Sequence, residues 1–205
     1  MRYRLLPILF CIGMFLSLNA QEHADPVKDF LTELESKTSA IQTITCKFKQ
    51  TQSLSVLSEK VTKSGVFYYR RPERILLSFS DGDYIKMTPD IFQMRNGEQV
   101  NQIKVASNPM LNELKKVLSA CMTGQVMNSG EDFEYTLKEE ALNYTVKMTP
   151  KKRRVSSKIK EITLEFDRKD MCLSKMMMVR PNGDYTLYEF LDKELNTPIN
   201  QLDER

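Results

Sequence analysis

The sequence predicts a mainly β, α+β fold of one domain, a strongly curved antiparallel sheet with two helices free to cover its concave face. Three observations carry this. About ten short segments alternate apolar and polar residues with the period of two that marks a half-buried strand, and turn signals separate them. Two other stretches place apolar residues at helical spacing behind an N-cap and a proline. No linker rich in Gly, Ser or Pro divides the 205 residues, and no internal repeat is evident.

At the N-terminus, Arg2 and Arg4 precede the uncharged apolar run Leu5 to Leu18, and Ala20 then Gln21-Glu22 follow. The run is shorter than the ~20 residues a membrane-spanning helix needs. A basic start, an apolar middle and a small residue before the polar chain are the marks of a cleaved secretory signal, whereas a buried core helix fits them poorly. Residues 1–20 are therefore expected to be removed, leaving one domain over residues 21–205. Cys11 does not mark a lipidation site, because Phe10 before it is not small.

The mature chain opens with Asp25 as N-cap, Pro26 at the first helical position, and Val27, Phe30, Leu31, Leu34, Thr38 and Ile41 at helical spacing. The period then changes to two. Ile44, Cys46 and Phe48 alternate with Thr45, Lys47 and Lys49, and a second run from Val61 to Tyr69 leads into Arg71-Pro72. Ile75 to Phe79, closed by Asp81-Gly82, and short strands near Tyr84 to Met87 and Ile91 to Arg95, ended by Asn96-Gly97, continue a meander of hairpins. Helical chemistry returns with Asn108 as N-cap, Pro109 behind it, Met110, Leu111, Leu114, Val117, Leu118 and Cys121 on one face, and Gly124 as a stop. Five further strands are expected at Phe133 to Glu139, Leu142 to Met148, Ile159 to Asp167, Leu173 to Val179 and Tyr185 to Leu191.

Composition narrows the function. Hydrophobic residues at 41% and charged residues at 28% describe a globular chain. The formal charge is +3, and only +1 without Arg2 and Arg4, so net charge gives no attraction to nucleic acid. The single histidine, His23, excludes a His-rich metal site and speaks against a Ser-His-Asp triad. Cleavage after Ala20 leaves Cys46, Cys121 and Cys172, an odd set without CxxC spacing, and these are read as small buried hydrophobes. The sequon Asn143-Tyr144-Thr145 has meaning only in a eukaryotic secretory pathway.

No GxSxG elbow, HExxH motif, phosphate-binding loop or dinucleotide glycine pattern is present. The carboxylate pairs Glu139 and Glu140, and Asp81 and Asp83, sit in turn and surface patterns where solvated charge is the ordinary role. No catalytic residue, metal or cofactor is expected. Lys151, Lys152, Arg153 and Arg154, with Lys158 and Lys160, form the one basic cluster and read as a solvated hairpin tip, or as a dock for an acidic protein or anionic lipid headgroups. Twelve methionines, three of them consecutive at Met176-Met177-Met178, suit either ordinary core filling or a surface that accepts variable apolar ligands.

In order along the chain, these pieces resemble the LolA-like family of periplasmic lipoprotein carriers. The carriers of the resemblance are the helix at Asp25 to Ile41, Phe48-Lys49-Gln50, and Gly65 followed after five residues by Arg71-Pro72. The helix after Asn108-Pro109, Leu137 to Pro150 leading to Ile162-Thr163-Leu164-Glu165-Phe166-Asp167, Gly183 to Phe190, and the ending Thr197-Pro198-Ile199 complete it. The resemblance implies an unclosed half-barrel capped by an N-terminal helix and a central lid helix, around a cavity for lipoprotein acyl chains or another lipid. It implies a monomer that shuttles its load from an inner-membrane lipoprotein-exporting ABC transporter towards an outer-membrane acceptor.

By similarity Arg71 is the arginine that holds the lid through polar contacts. Arg71, Ile75, Leu77 and Phe79 share one parity, as do Phe67 and Tyr69 before them, so one sheet face places an apolar lining beside a fixed cation. The cavity is expected to be lined by Phe48, Phe67, Tyr69, Ile75, Leu77 and Phe79 from the sheet and by Met110, Leu111, Leu114, Val117 and Leu118 from the lid. Ile75 and Leu77 stand where the family usually has aromatic residues, and the chain has no Trp. The alternative readings are a non-transporting interaction module on the same half-barrel and, disfavoured by the missing nucleophile constellation, a hydrolase.

Overall fold

The computed structural model describes residues 26–105 and 133–203. Helix α1 (Pro26–Thr38) buries Phe30, Leu34 and Thr38 along one stripe, as the spacing predicts. Its exposed side carries the Glu33–Lys37 pair at 2.8 Å, one turn apart, and Lys37 complements the negative end of the helix dipole.

Eleven strands follow. β1 (Thr43–Ser53), β2 (Val61–Arg70), β3 (Arg74–Phe79), β4 (Tyr84–Met87), β5 (Ile91–Asn96) and β6 (Gln99–Lys104) form a first meander. β7 (Phe133–Glu139), β8 (Asn143–Pro150), β9 (Glu161–Asp167), β10 (Leu173–Val179) and β11 (Tyr185–Leu195) form a second, with the one-turn helix α2 (Arg153–Ser156) between β8 and β9. All pair antiparallel in one sheet of order β6-β5-β4-β3-β2-β1-β11-β10-β9-β8-β7. The first and last strands are therefore the seam, with Phe48 opposite Phe190. Edge strands β6 and β7 do not pair, so the sheet stays open. Neighbouring strands twist by roughly 20° on each other, and eleven of them curl into a trough rather than lie flat.

Side-chain alternation puts the core on one face of that trough. Ile44, Cys46 and Phe48 on β1, Phe67 and Tyr69 on β2, and Ile75, Leu77 and Phe79 on β3 are all buried there with Ile162, Leu164 and Phe166 of β9. α1 covers the second meander, with the Phe30 ring 4.9 Å from Tyr144 and 5.5 Å from Phe166. Gly65 is required where β2 meets β3. A Cβ there would stand 2.1 Å from the Ser78 carbonyl oxygen, and the Phe48 ring packs into the space a side chain would take.

A smaller cluster of Leu76, Tyr84, Ile199 and Leu202 forms on the opposite face, under the chain that follows β11. Arg70 fastens this tail, donating to both carboxylate oxygens of Asp203 at 2.9 Å and to the carbonyl of Ile199.

Three expectations change. The sheet has an eleventh strand, β6, which pairs with β5 through the Asn96-Gly97 turn. Every residue of β6 is exposed, so it shows no apolar alternation to read. The basic segment between β8 and β9 is not a bare hairpin tip but contains α2, anchored by buried Val155. β8 and β9 start one and two residues later than expected. Cys46 and Cys172 are buried free thiols. Residues 1–20, Cys121 and the helix expected after Asn108-Pro109 lie outside the described residues.

Candidate functional site

An apolar cavity of about 80 Å³ opens on the concave face where the two meanders come together. Phe67, Leu77, Ile85, Met87 and Phe92 supply one wall from β2 to β5, and Met176, Met178, Tyr188 and Phe190 supply the other from β10 and β11. None of these side chains is charged. The one hydroxyl on the lining, Tyr188 Oη, accepts a hydrogen bond from Gln50 Nε2 at 2.6 Å, and burial pushes its pKa up. Such a lining has no acid, base or nucleophile to offer, and its affinity is for apolar surface alone.

The volume sets what it holds. A cavity of ~150 Å³ accommodates benzene, so the present space takes a few methylenes and a longer chain requires the walls to part. Three of the nine lining residues are methionines, whose unbranched side chains re-pack at small cost. The aromatic neighbours are better fixed. Phe48 meets Phe79 edge-on at 5.1 Å, and Phe67 meets Phe190 edge-on at 5.2 Å across the seam.

Of the residues expected from the sequence, Phe67 and Leu77 line this cavity, while Phe48, Tyr69, Ile75 and Phe79 are buried on the same face within the same core. Met110, Leu111, Leu114, Val117 and Leu118 lie outside the described residues. Sequence reasoning did not single out Ile85, Met87 and Phe92 or Tyr188 and Phe190, although the same period-two parity marks them on β4, β5 and β11. Met176 and Met178, which the sequence leaves open between core filling and a surface for variable apolar ligands, stand in the cavity wall.

Arg71 lies half-buried just after β2. Its Nη2 donates to the Thr38 carbonyl at 2.9 Å, its Nε donates to the Ile41 carbonyl, and its own N–H donates to the Gln42 carbonyl at 2.9 Å. The guanidinium thus bridges the last carbonyl of α1, which also accepts from the Ile41 N–H at 3.0 Å, and the Ile41 carbonyl in the turn that follows. A cation at that end also meets the negative pole of the helix dipole.

The family model described as outer membrane lipoprotein carrier protein LolA matches residues 39–201. The chain belongs to the LolA family. The match takes in both Arg71 and every residue of the cavity lining, and this LolA-family sheet is unclosed and covered by an N-terminal helix, as the sequence suggested. No curated protein sequence matches the chain significantly.

Among solved structures, an uncharacterized conserved protein from Thermus thermophilus superposes with a TM-score of 0.53 at 8% identity, over 87% of this chain and 93% of that one. MucB superposes at 0.50 with 12% identity, over 87% of this chain but 62% of MucB. A DUF1329 family protein from Desulfovibrio piger gives 0.48 at 10% identity, over 86% and 96%. At these identities the likeness is one of fold.

Proposed function

We propose that this LolA-family protein is a periplasmic carrier that takes the acyl chains of a lipoprotein into the concave face of its half-barrel and shuttles them from the inner membrane towards the outer membrane. The observation that supports it is a charge-free cavity on the seam, inside the segment that matches a family of lipoprotein carriers. Each methylene taken out of water contributes ~0.8 kcal/mol, so a full acyl chain contributes on the order of 10 kcal/mol. A carrier must also give that up. It therefore needs an open and a closed arrangement of similar free energy, and Arg71, on the carbonyls of Thr38 and Ile41 at the end of α1, is the side chain we assign to the balance. Loading falls to an inner-membrane lipoprotein-exporting ABC transporter and unloading to an outer-membrane acceptor.

Titration of the purified mature protein with a fluorescent fatty acyl probe tests the reading. Saturable binding that an unlabelled lipoprotein displaces is the expected result. No binding, with the fold intact, refutes carriage and leaves the half-barrel as an interaction module. N-terminal sequencing of the exported form should begin after Ala20, and a start at Met1 would contradict the periplasmic assignment.

A further inference from the structure

Three hairpin connections at one end of the sheet are joined into a single rim. The β1–β2 tip, residues 54–60, is tied to the β10–β11 turn, because the Ser55 N–H donates to Asp184 Oδ1 at 2.6 Å. Lys60 Nζ of that tip stands 5.6 Å from the Tyr185 ring centroid. Asp184 Oδ2 accepts from Asn182 Nδ2 at 2.9 Å. The connection formed by residues 151–160 adjoins the same turn, since the Lys160 N–H donates to the Val179 carbonyl at 2.7 Å, one residue before Arg180. This rim is the far end of β1 from Arg71. Thr43 pairs with Arg70 at one end and Ser53 with Tyr185 at the other, about 30 Å of strand apart at ~3.3 Å per residue.

The rim is strongly polarised. Residues 54–60, 151–160 and 180–184 hold eight Lys and Arg against only Glu59 and Asp184, a charge of +6 on a chain whose total is +3. The rest of the molecule is therefore net negative. Arg153, Arg154, Lys158, Lys160 and Arg180 are exposed. None of the five forms an ion pair with an acidic residue among the described residues. Buried Val155 and Ile159 hold the segment that carries four of them against the sheet, so the charges form a fixed platform. Beside it, on the β1–β2 tip, Val56 is 86% exposed and Leu57 47% exposed.

We propose that this rim docks on an anionic phospholipid bilayer, with the basic side chains on headgroup phosphates and Val56 and Leu57 entering the interfacial layer. A cationic surface flanking aliphatic side chains on a projecting tip matches a negatively charged, deformable surface with an apolar interior. An acidic protein would satisfy the charges but would leave Val56 and Leu57 in water unless it also offered them a pocket. The docking requires nothing of the cavity, so it stands or falls apart from carriage.

Co-sedimentation of the mature chain with vesicles decides it, using phosphatidylcholine alone or mixed with phosphatidylglycerol, at low and at high salt. Binding is expected only to the mixed vesicles, and it should be lost at high salt. Arg153→Gln with Arg154→Gln should weaken it about thirtyfold, at about fivefold per charge removed. Val56→Ser with Leu57→Ser should weaken it by about tenfold or more, from lost apolar burial. Both double variants should retain the native circular dichroism, urea midpoint and acyl-probe binding, so that the loss reports on the rim. Equal sedimentation with both vesicle types, or binding unaffected in both variants, overturns the proposal. Absence of binding to the mixed vesicles at low salt also overturns it and assigns the rim to an acidic protein.

Discussion

Arg71 Nη2 lies 2.9 Å from the carbonyl oxygen of Thr38, so the turn after β2 is hydrogen-bonded to the last residue of α1. A side chain on the sheet thereby fixes one end of the helix that covers the second meander. The bond is charge-assisted and partly shielded from water, and it is the second that this carbonyl accepts, beside the one from the Ile41 N–H at 3.0 Å.

Arg71→Leu should keep the fold and lower stability by about 2 to 3 kcal/mol, because the Thr38 and Ile41 carbonyls lose a charged donor. Arg71→Lys should recover part of this, since an ammonium serves one carbonyl well but lacks the planar fork that reaches both. Urea unfolding of the three proteins checks the order. If the α1 end also sets the balance of open and closed forms, Arg71→Leu takes up an acyl probe and fails to pass it on. Leucine at 71 with unaltered stability and transfer would reduce Arg71 to a bystander.

Gly65→Ala should be far more damaging than its size suggests. Its Cβ would meet the Ser78 carbonyl at 2.1 Å and the Phe48 ring at 2.9 Å, and the first of these is backbone that cannot swing away. A loss of about 2 kcal/mol or more is expected from the forced shift of β2 against β3. Gly97→Ala meets nothing within 4 Å but has φ +60°, so strain alone should cost it about 1 kcal/mol. Thermal midpoints of the pair distinguish steric from conformational need, and equal midpoints would contradict the close approach at Gly65.

The stability of the protein should be flat near neutrality and fall on the alkaline side. Burial pushes the Cys46 thiol up to about 12 and the Cys172 thiol up to about 11 from ordinary values of 9.0, and the Tyr69 hydroxyl up to about 12 from 10.0. These groups release protons more readily unfolded than folded, so stability is intact below about pH 9 and declines as pH rises towards 12. Urea midpoints across that range check the slope. At pH 8 the Cys46 and Cys172 thiols should resist a disulfide reagent until the protein is unfolded, and rapid labelling of either one in the native state, located by peptide mapping, would show that the core is open.

Much of this architecture is legible in the sequence because burial is one-sided. α1 announces itself through Phe30, Leu34 and Thr38, and β1 through alternation onto one face, whereas β3 buries Ile75, Leu76 and Leu77 in succession because the tail after β11 covers its other face. β6 has no buried residue, so nothing in its composition separates it from a loop, and only pairing with β5 makes it a strand. The β1–β11 seam joins residues far apart in sequence, as in Phe48 with Phe190, and alternation names the face of each strand but not its neighbour. For that reason Phe67 and Leu77 can be placed in a lining from sequence while Tyr188 and Phe190 cannot be placed across from them. α2 is a single turn held by Val155, too short for a helical period to appear.

Ile85→Trp should close the cavity, since Ile85 is a half-buried wall residue whose replacement projects a larger ring into the 80 Å³ space. The overpacking should cost about 1 to 3 kcal/mol and leave the protein folded. Acyl-probe affinity should fall by about tenfold or more, since displaced methylenes forfeit ~0.8 kcal/mol each. Unchanged affinity in a folded Ile85→Trp protein would move the acyl site away from the seam.

Native mass spectrometry of the protein released gently from the periplasm tests carriage most directly. The account predicts a population heavier than the mature chain by the mass of an acylated ligand, stripped by collisional activation, and sharply reduced in Ile85→Trp. A wild-type protein that emerges at the mass of the bare chain, with no bound lipid or lipoprotein at any activation energy, would contradict it.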